Sequence, residues 1–256
     1  MDSRASGKTL SAAGHNLVRG LSRADRRPSG YRGGLLLLGA ACLFLALAAL
    51  PFDEATLNWF AGLAPHGSYM RRVFKMPAHL FAWWTFAGLA VLLLAQPARK
   101  RLLTGFGVAL VGCAGALHAL KLLIGRARPD AGFLHGHGAY YFDAFGDPRL
   151  QLDSLPSGHA AMTALLLVLL GLYFPRSRWL LVLPAVVTCL GRVAIERHFL
   201  SDVLAGAGLA LLWMHVVVGR LGPEYYPRLS FTAGRGRLLP ASRGHRGAPA
   251  SSLEST

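Results

Sequence analysis

Between residues 121 and 202 three separated clusters of side chains have the types and spacings that suit chemistry on a phosphate. The first is Lys121-Leu122-Leu123-Ile124-Gly125-Arg126-Ala127-Arg128-Pro129, and the second is Pro156-Ser157-Gly158-His159. The third runs from Gly191 to Asp202 and carries Arg192, His198 and Asp202. Lys offers a compact point charge, whereas the Arg fork matches two phosphoryl oxygens at once. Lys121, Arg128 and Arg192 therefore make a cationic set for one anion. Ser157 is of the type that caps a helix, and the N–H groups of a first helical turn form a ready anion site. Gly158 lets the backbone come close to such an anion. His198 and Asp202 are four residues apart, so at a helix start they lie on one face. A carboxylate that accepts from one ring nitrogen leaves the other free to attack and stabilises the cation that forms. Each cluster also has an ordinary reading: a lysine snorkelling to an interface, a capped helix with an incidental histidine, a surface His–Asp pair. Together they form a kit for holding a phosphoryl group and attacking it.

The elements that must position these groups are long apolar runs. The chain has 256 residues, 53% of them hydrophobic and 15% charged, which favours a bundle of membrane helices over soluble domains. Six runs stand out, at residues 34–50, 78–95, 102–124, 160–174, 179–195 and 203–219. Residues 52–77 mix acidic, basic and aromatic side chains and read as an interfacial segment. Residues 125–155 form the longest internal stretch between runs, with Tyr140, Tyr141, Phe142 and Phe145 as interfacial anchors. The fold class expected is all-α, a polytopic bundle. Residues 1–32 form a basic, disordered arm, 33–220 the membrane domain, and 221–256 a second basic, loose tail. A cleaved signal peptide is disfavoured, because the segment before the first run is too long for one.

The formal net charge is +15, but most of that charge sits in tails and short connectors beside apolar runs. That pattern describes membrane topology, and no zinc-finger spacing or RNA-binding aromatic motif points to nucleic acid. With six crossings, the arm, residues 96–101, residues 175–178 and the tail together with Arg220 share one side and hold 18 of the 27 Lys and Arg residues. The positive-inside tendency makes that side cytoplasmic. All three clusters then fall at the opposite face. Cys42, Cys113 and Cys189 each lie within an apolar run and read as packing residues. His135-Gly136-His137 lacks a third nearby ligand and is not read as a metal site. His118 reads as a packed or hydrogen-bonded helix residue, and Arg126 as touching substrate or the headgroup layer. The chain has no Asn-x-Ser/Thr acceptor site, which suits a bacterial inner membrane.

In these motifs the chain resembles the phosphatidic acid phosphatase type 2 superfamily. That family's signature is Lys, six residues, Arg-Pro; then Pro-Ser-Gly-His; then Ser-Arg, five residues, His, three residues, Asp. Lys121 to Pro129, Pro156 to His159, and Arg192, His198 and Asp202 match it, with Gly191 in place of the usual Ser. The resemblance implies a membrane lipid phosphatase whose active site faces the periplasm or exterior. It implies that His198 attacks phosphorus, Asp202 orients it, and His159 protonates the leaving oxygen. It further implies that Lys121, Arg128, Ser157, Gly158 and Arg192 hold the phosphoryl oxygens, with no metal or other cofactor. The partners expected are a lipid phosphate substrate and the bilayer. Phosphatidate, phosphatidylglycerophosphate, undecaprenyl diphosphate and the 1-phosphate of lipid A fit the motifs equally. A phosphotransferase using the same phosphohistidine is the alternative enzyme. A vanadate haloperoxidase shares the site logic but not the apolar runs. A non-catalytic anion carrier places its charges at mid-membrane rather than toward one end.

Overall fold

The computed structural model describes residues 29–63, 65, 67–96, 99–134, 136–146, 151–174, 182–221, 225–226, 229–230 and 239–240. Nearly all of the expected arm, the 175–178 connector, most of the tail, and His135 lie outside them.

The first apolar run folds as α1, Ser29–Ala49, and continues through a 3-10 turn at Leu50–Phe52 into α2, Asp53–Leu63. Pro51 fits the turn because an N-terminal helical position needs no donor from it. Asp53 and Glu54 sit in the first turn of α2, where carboxylates meet the positive end of the helix dipole. Residues expected to form an interfacial segment are thus largely helical. α3, Tyr69–Leu94, starts earlier than its apolar run, because Ser68 caps it by accepting from the Arg71 N–H at 3.2 Å. α4 is Arg99–Ile124, and a six-residue helix α5, Pro129–Leu134, follows in the long internal segment. α6 is Gly158–Tyr173, α7 Val182–Ala194 and α8 Leu200–Arg220. A two-residue antiparallel pair, Leu229–Ser230 with Leu239–Pro240, lies beyond the bundle.

Helix α6 is apolar all round and sits at the centre, the position such a helix needs to bury every face. Leu165, Leu166, Leu169 and Tyr173 are fully buried, packed with Leu93, Leu102, Ala109, Cys113 and Met214 from α3, α4 and α8. α8 lies against α6 on one side and α1 on the other. The outer faces carry Leu37, Phe44, Leu47, Val111 and Leu183, all exposed, as helices facing hydrocarbon require. Tyr31–Leu63, Arg99–Ile124 and Leu200–Arg220 are long and apolar enough to cross a membrane, while Gly158–Tyr173 and Ala185–Ala194 are shorter apolar helices. The three cysteines are free, with Cys113 in the core.

Candidate active site

Four helix ends meet at one end of the bundle: the close of α4, the start of α6, the close of α7 and the start of α8. Lys121 stands in the last turn of α4. Gly125 then takes φ +59, and a Cβ there would overlap the backbone of Asp143, so only glycine makes this turn. Beyond it the chain carries Arg128 back over the helix ends. Arg128 donates from Nε and Nη2 to the two carboxylate oxygens of Asp153, each at 2.7 Å. Lys121 Nζ donates to the Asp153 carbonyl oxygen and lies 3.6 Å from Oδ2. The two cations expected to bind phosphate therefore converge, and an internal carboxylate marks where. Burial alone would raise the Asp153 carboxyl, but the hydrogen bonds and charge of Arg128, with Lys121, hold it below the usual carboxylate range.

Arg192, in the last turn of α7, is 5% exposed, and its Nε has no hydrogen-bond partner among the described residues. A buried guanidinium nitrogen left unpaired is costly unless an anion completes it. The Arg192 carbonyl accepts from the N–H groups of Arg197 and His198, turning the chain sharply back. That turn is held from outside by Arg71 of α3, which donates to the Ile195 carbonyl at 3.1 Å, and by an Arg197–Asp130 ion pair at 3.1 Å.

Ser157 caps α6 by accepting from the Ala160 N–H, and its own N–H donates to the Asp202 carbonyl at 2.9 Å. α8 reaches this close because residue 206 is glycine; a Cβ there would overlap the Ser157 carbonyl oxygen. On the other side of the turn, a Cβ at Gly158 would meet nothing within 4 Å, so there is open space beside the start of α6. His159 follows, half-buried. With Lys121, Gly158 and His118 it lines a groove of about 440 Å³ whose walls are otherwise apolar, among them Phe86, Leu110, Leu117 and Met162.

His198 is 2% exposed, and its Nδ1 donates to the Ser154 carbonyl at 2.9 Å. Asp202 Oδ2 lies 3.8 Å from the same nitrogen. This amends the expectation: a backbone carbonyl fixes the tautomer, and Asp202 supplies charge from just beyond hydrogen-bonding distance. Burial pushes the imidazole below its ordinary value, with Arg192 and Arg128 adding to the effect and Asp202 opposing it. The ring is therefore neutral near pH 7, with its Nε2 lone pair available.

Arg126 departs furthest from expectation. Rather than touching substrate or headgroups it is wholly buried, making five hydrogen bonds. Nη2 pairs with Asp53 at 2.8 Å and Nη1 with Asp202 Oδ1 at 2.7 Å, while the Phe199 ring lies 4.1 Å beneath. Asp202 also accepts from Ser154 Oγ and the Phe199 N–H, and Asp53 from the Ser201 N–H and hydroxyl. Asp53, Asp153, Ser154 and Ser201 are members of the site that sequence reasoning missed. A signal existed for Asp53, a lone acidic pair closing an apolar run, and for Asp153 and Ser154, which stand directly before the helix-start motif.

Gly191 has its own explanation. A Cβ there would sit 3.1 Å from the Phe74 carbonyl oxygen and 3.4 Å from the Phe74 side chain, so the close approach of α3 to α7 disfavours a larger residue. His118 is hydrogen-bonded within its helix, Nδ1 donating to the Ala114 carbonyl at 3.1 Å, as expected. Tyr140 donates to the Leu50 carbonyl at 3.0 Å and Phe145 is strongly exposed, while His137 stacks on Tyr141.

The model of the PAP2 superfamily matches residues 102–223. Among curated proteins the chain is similar to the lipid A 1-phosphatase of Rhizobium etli, 35% identical over 106 residues, which is 40% of this chain and 44% of the relative. It is similar as well to the lipid A 1-phosphatase of Rhizobium johnstonii, 37% identical over 87 residues, 34% of each chain. The matched part spans less than half the length of these relatives. Among solved structures, that of the first transmembrane PAP2 type phosphatidylglycerolphosphate phosphatase, from Bacillus subtilis, shares the fold with a TM-score of 0.50. Identity there is 23%, over 73% of this chain and 94% of that one. Motifs, fold and the family model over residues 102–223 agree in likening the chain to the PAP2 superfamily.

Proposed function

We propose that the protein is an integral-membrane lipid phosphatase that works through a phosphohistidine on His198. The observation that carries the reading is a single loop: Asp153 gathers Lys121 and Arg128, and its neighbour Ser154 fixes the nucleophilic tautomer of His198. A phosphoryl group taking the place of the Asp153 carboxylate is held by both cations, by Arg192 Nε and by the first-turn amides of α6. The His198 Nε2 lone pair forms the P–N bond as the P–O bond to the lipid breaks, and His159 gives its proton to the leaving oxygen. Water then attacks phosphorus and passes a proton to His159, and the P–N electron pair returns to the ring. The cations oppose the charge gathering on the equatorial oxygens, so positioning and electrostatics supply most of the rate.

The apolar groove that ends at Lys121, Gly158 and His159 supports a lipid as substrate, since its walls suit acyl chains and its end suits a headgroup phosphate. The similarity to two lipid A 1-phosphatases makes the 1-phosphate of lipid A the first lipid to assay. In this reading six crossings place the site at the non-cytoplasmic leaflet of the inner membrane. The test is phosphate release by purified protein from phosphatidate, phosphatidylglycerophosphate, undecaprenyl diphosphate and lipid A 1-phosphate, with chelator present. His198→Ala falls to background and His159→Ala loses at least about a hundredfold. Release from none of the four lipids, or full turnover by His198→Ala, would overturn the reading; label appearing on an added acceptor lipid would make it a phosphotransferase.

A further inference from the structure

Behind the nucleophile lies a buried charge assembly that the three motifs do not account for. Asp53 comes from the start of α2, Arg126 from the loop after α4, and Asp202 from α8, and all three are 0% exposed. Arg126 bridges the carboxylates, Nη2 to Asp53 and Nη1 to Asp202, and the Ser201 hydroxyl accepts from Nη1 and donates to Asp53. Such a cluster survives burial only as a unit, because each member left alone would be an unpaired charge. Its charges sum to minus one. Were Asp53 neutral, Arg126 would cancel Asp202 and nothing would remain to balance a cationic imidazole.

We propose that Asp53 is a positioning residue of the reaction: by engaging Arg126 it leaves the charge of Asp202 available to His198 when that ring becomes a phosphoimidazole cation. The inference rests on the phosphohistidine reading. The other groups facing His198 are Asp153 and Arg128 from the loop and Arg192 from α7, and among the described residues the hydrogen bonds of the Asp53 carboxylate go to Arg126 and Ser201. Asp53 is thus separated from the phosphate cations while remaining coupled to the ring.

The test is Asp53→Asn in the full-length detergent-purified protein, with His198→Ala as the control that establishes the nucleophile. Asp53→Asn is expected to lower kcat about tenfold and move the acid limb of kcat/KM down by about one pH unit, because an imidazolium less well balanced loses its proton more easily. KM and the inhibition constant for inorganic phosphate stay within about twofold, since the cations are untouched. The double variant Asp53→Asn/Arg126→Gln restores the charge sum and returns the acid limb to its original place, while kcat stays low because Asp202 has lost its Arg donor. Wild-type kcat in either variant, or an acid limb unmoved in Asp53→Asn, overturns the proposal. Should Asp53→Asn not fold, the double variant decides it by its acid limb, expected at the original place; a limb moved upward, as loss of Arg126 alone would move it, overturns the proposal. Loss of activity in His198→Ala with no change in Asp53→Asn would refute this inference and leave the phosphatase reading standing.

Discussion

Asp153 holds the same edge of Arg128 that a phosphate would take, so removing its carboxylate should tighten anion binding rather than weaken it. Asp153→Ala deletes two charge-assisted hydrogen bonds of 2.7 Å to Arg128 and the charge 3.6 Å from Lys121, while the Lys121 contact to the residue 153 carbonyl survives. Hydrogen bonds to charged groups are worth about 1.5–3 kcal/mol when well buried. The Asp153 side chain is 46% exposed, and exposed pairs are worth about 0–1 kcal/mol, so the internal competitor amounts to about 1–1.5 kcal/mol in all. That converts to a fall of about five- to tenfold in the inhibition constant for inorganic phosphate. The assay is competitive inhibition of lipid hydrolysis by phosphate, in both proteins, across neutral pH. Because Arg128 keeps the Asp153 carboxyl below the ordinary range, the ratio of the two constants should be flat across neutral pH, the competitor being lost only on strong acidification. An inhibition constant that is unchanged or higher in Asp153→Ala would refute the reasoning and make the carboxylate a support for Arg128.

Other outcomes follow from the packing and from the ring. Gly206→Ala drives a methyl into the Ser157 carbonyl, breaks the Ser157–Asp202 backbone hydrogen bond and should cost about 3 kcal/mol, read as a fall in melting temperature and folded yield. Gly191→Ser, though it restores the family's usual residue, meets Phe74 and should cost about 1 kcal/mol with no gain in phosphate affinity, measured by the same melt and by inhibition. Burial lowers the His198 imidazole, so the folded protein binds its proton less readily than the unfolded chain does. The stability of the neutral buried ring is therefore complete above about pH 6.5 and is lost as pH falls from there through the lower value of the folded ring. The acid limb of kcat/KM should accordingly lie below about pH 6.5, and a limb above it would show that Asp202 outweighs burial.

What the sequence displays and what it conceals divide along physical lines. The apolar runs lie within helices because membrane-length hydrophobic stretches leave little choice of structure, and Lys121, Ser157, Arg192 and Asp202 fall at helix ends as their spacing implied. Ser157 caps because a hydroxyl before a glycine and an apolar run has few competing partners. Arg126 was misjudged because an arginine two residues from the motif's Arg128 has the same local signature whether it turns outward or inward. Its direction depends on Asp53, which is 73 residues away in the chain and invisible to any spacing rule. The partner of His198 was half right for the same reason: the i to i+4 geometry places Asp202 near the ring, but the hydrogen bond goes to Ser154, 44 residues earlier. Long-range contacts of this kind depend on how α8 settles against α1 and α6, which composition does not encode.

The helical segment from Tyr31 to Leu63 carries Asp53 on the same candidate span as α1, so the proposal gives that first span a chemical duty. The family model matches from residue 102, so a minimal version cut to that boundary, or one whose leading anchor is exchanged for a generic hydrophobic sequence, would still carry every signature residue. It would nonetheless arrive at the bilayer with Arg126 left to Asp202 alone and Ser201 without the carboxylate it donates to. For anyone building chimaeras or trimming this protein, the proposed role of Asp53 sets the smallest unit to test by that distant carboxylate and not by the recognisable motifs.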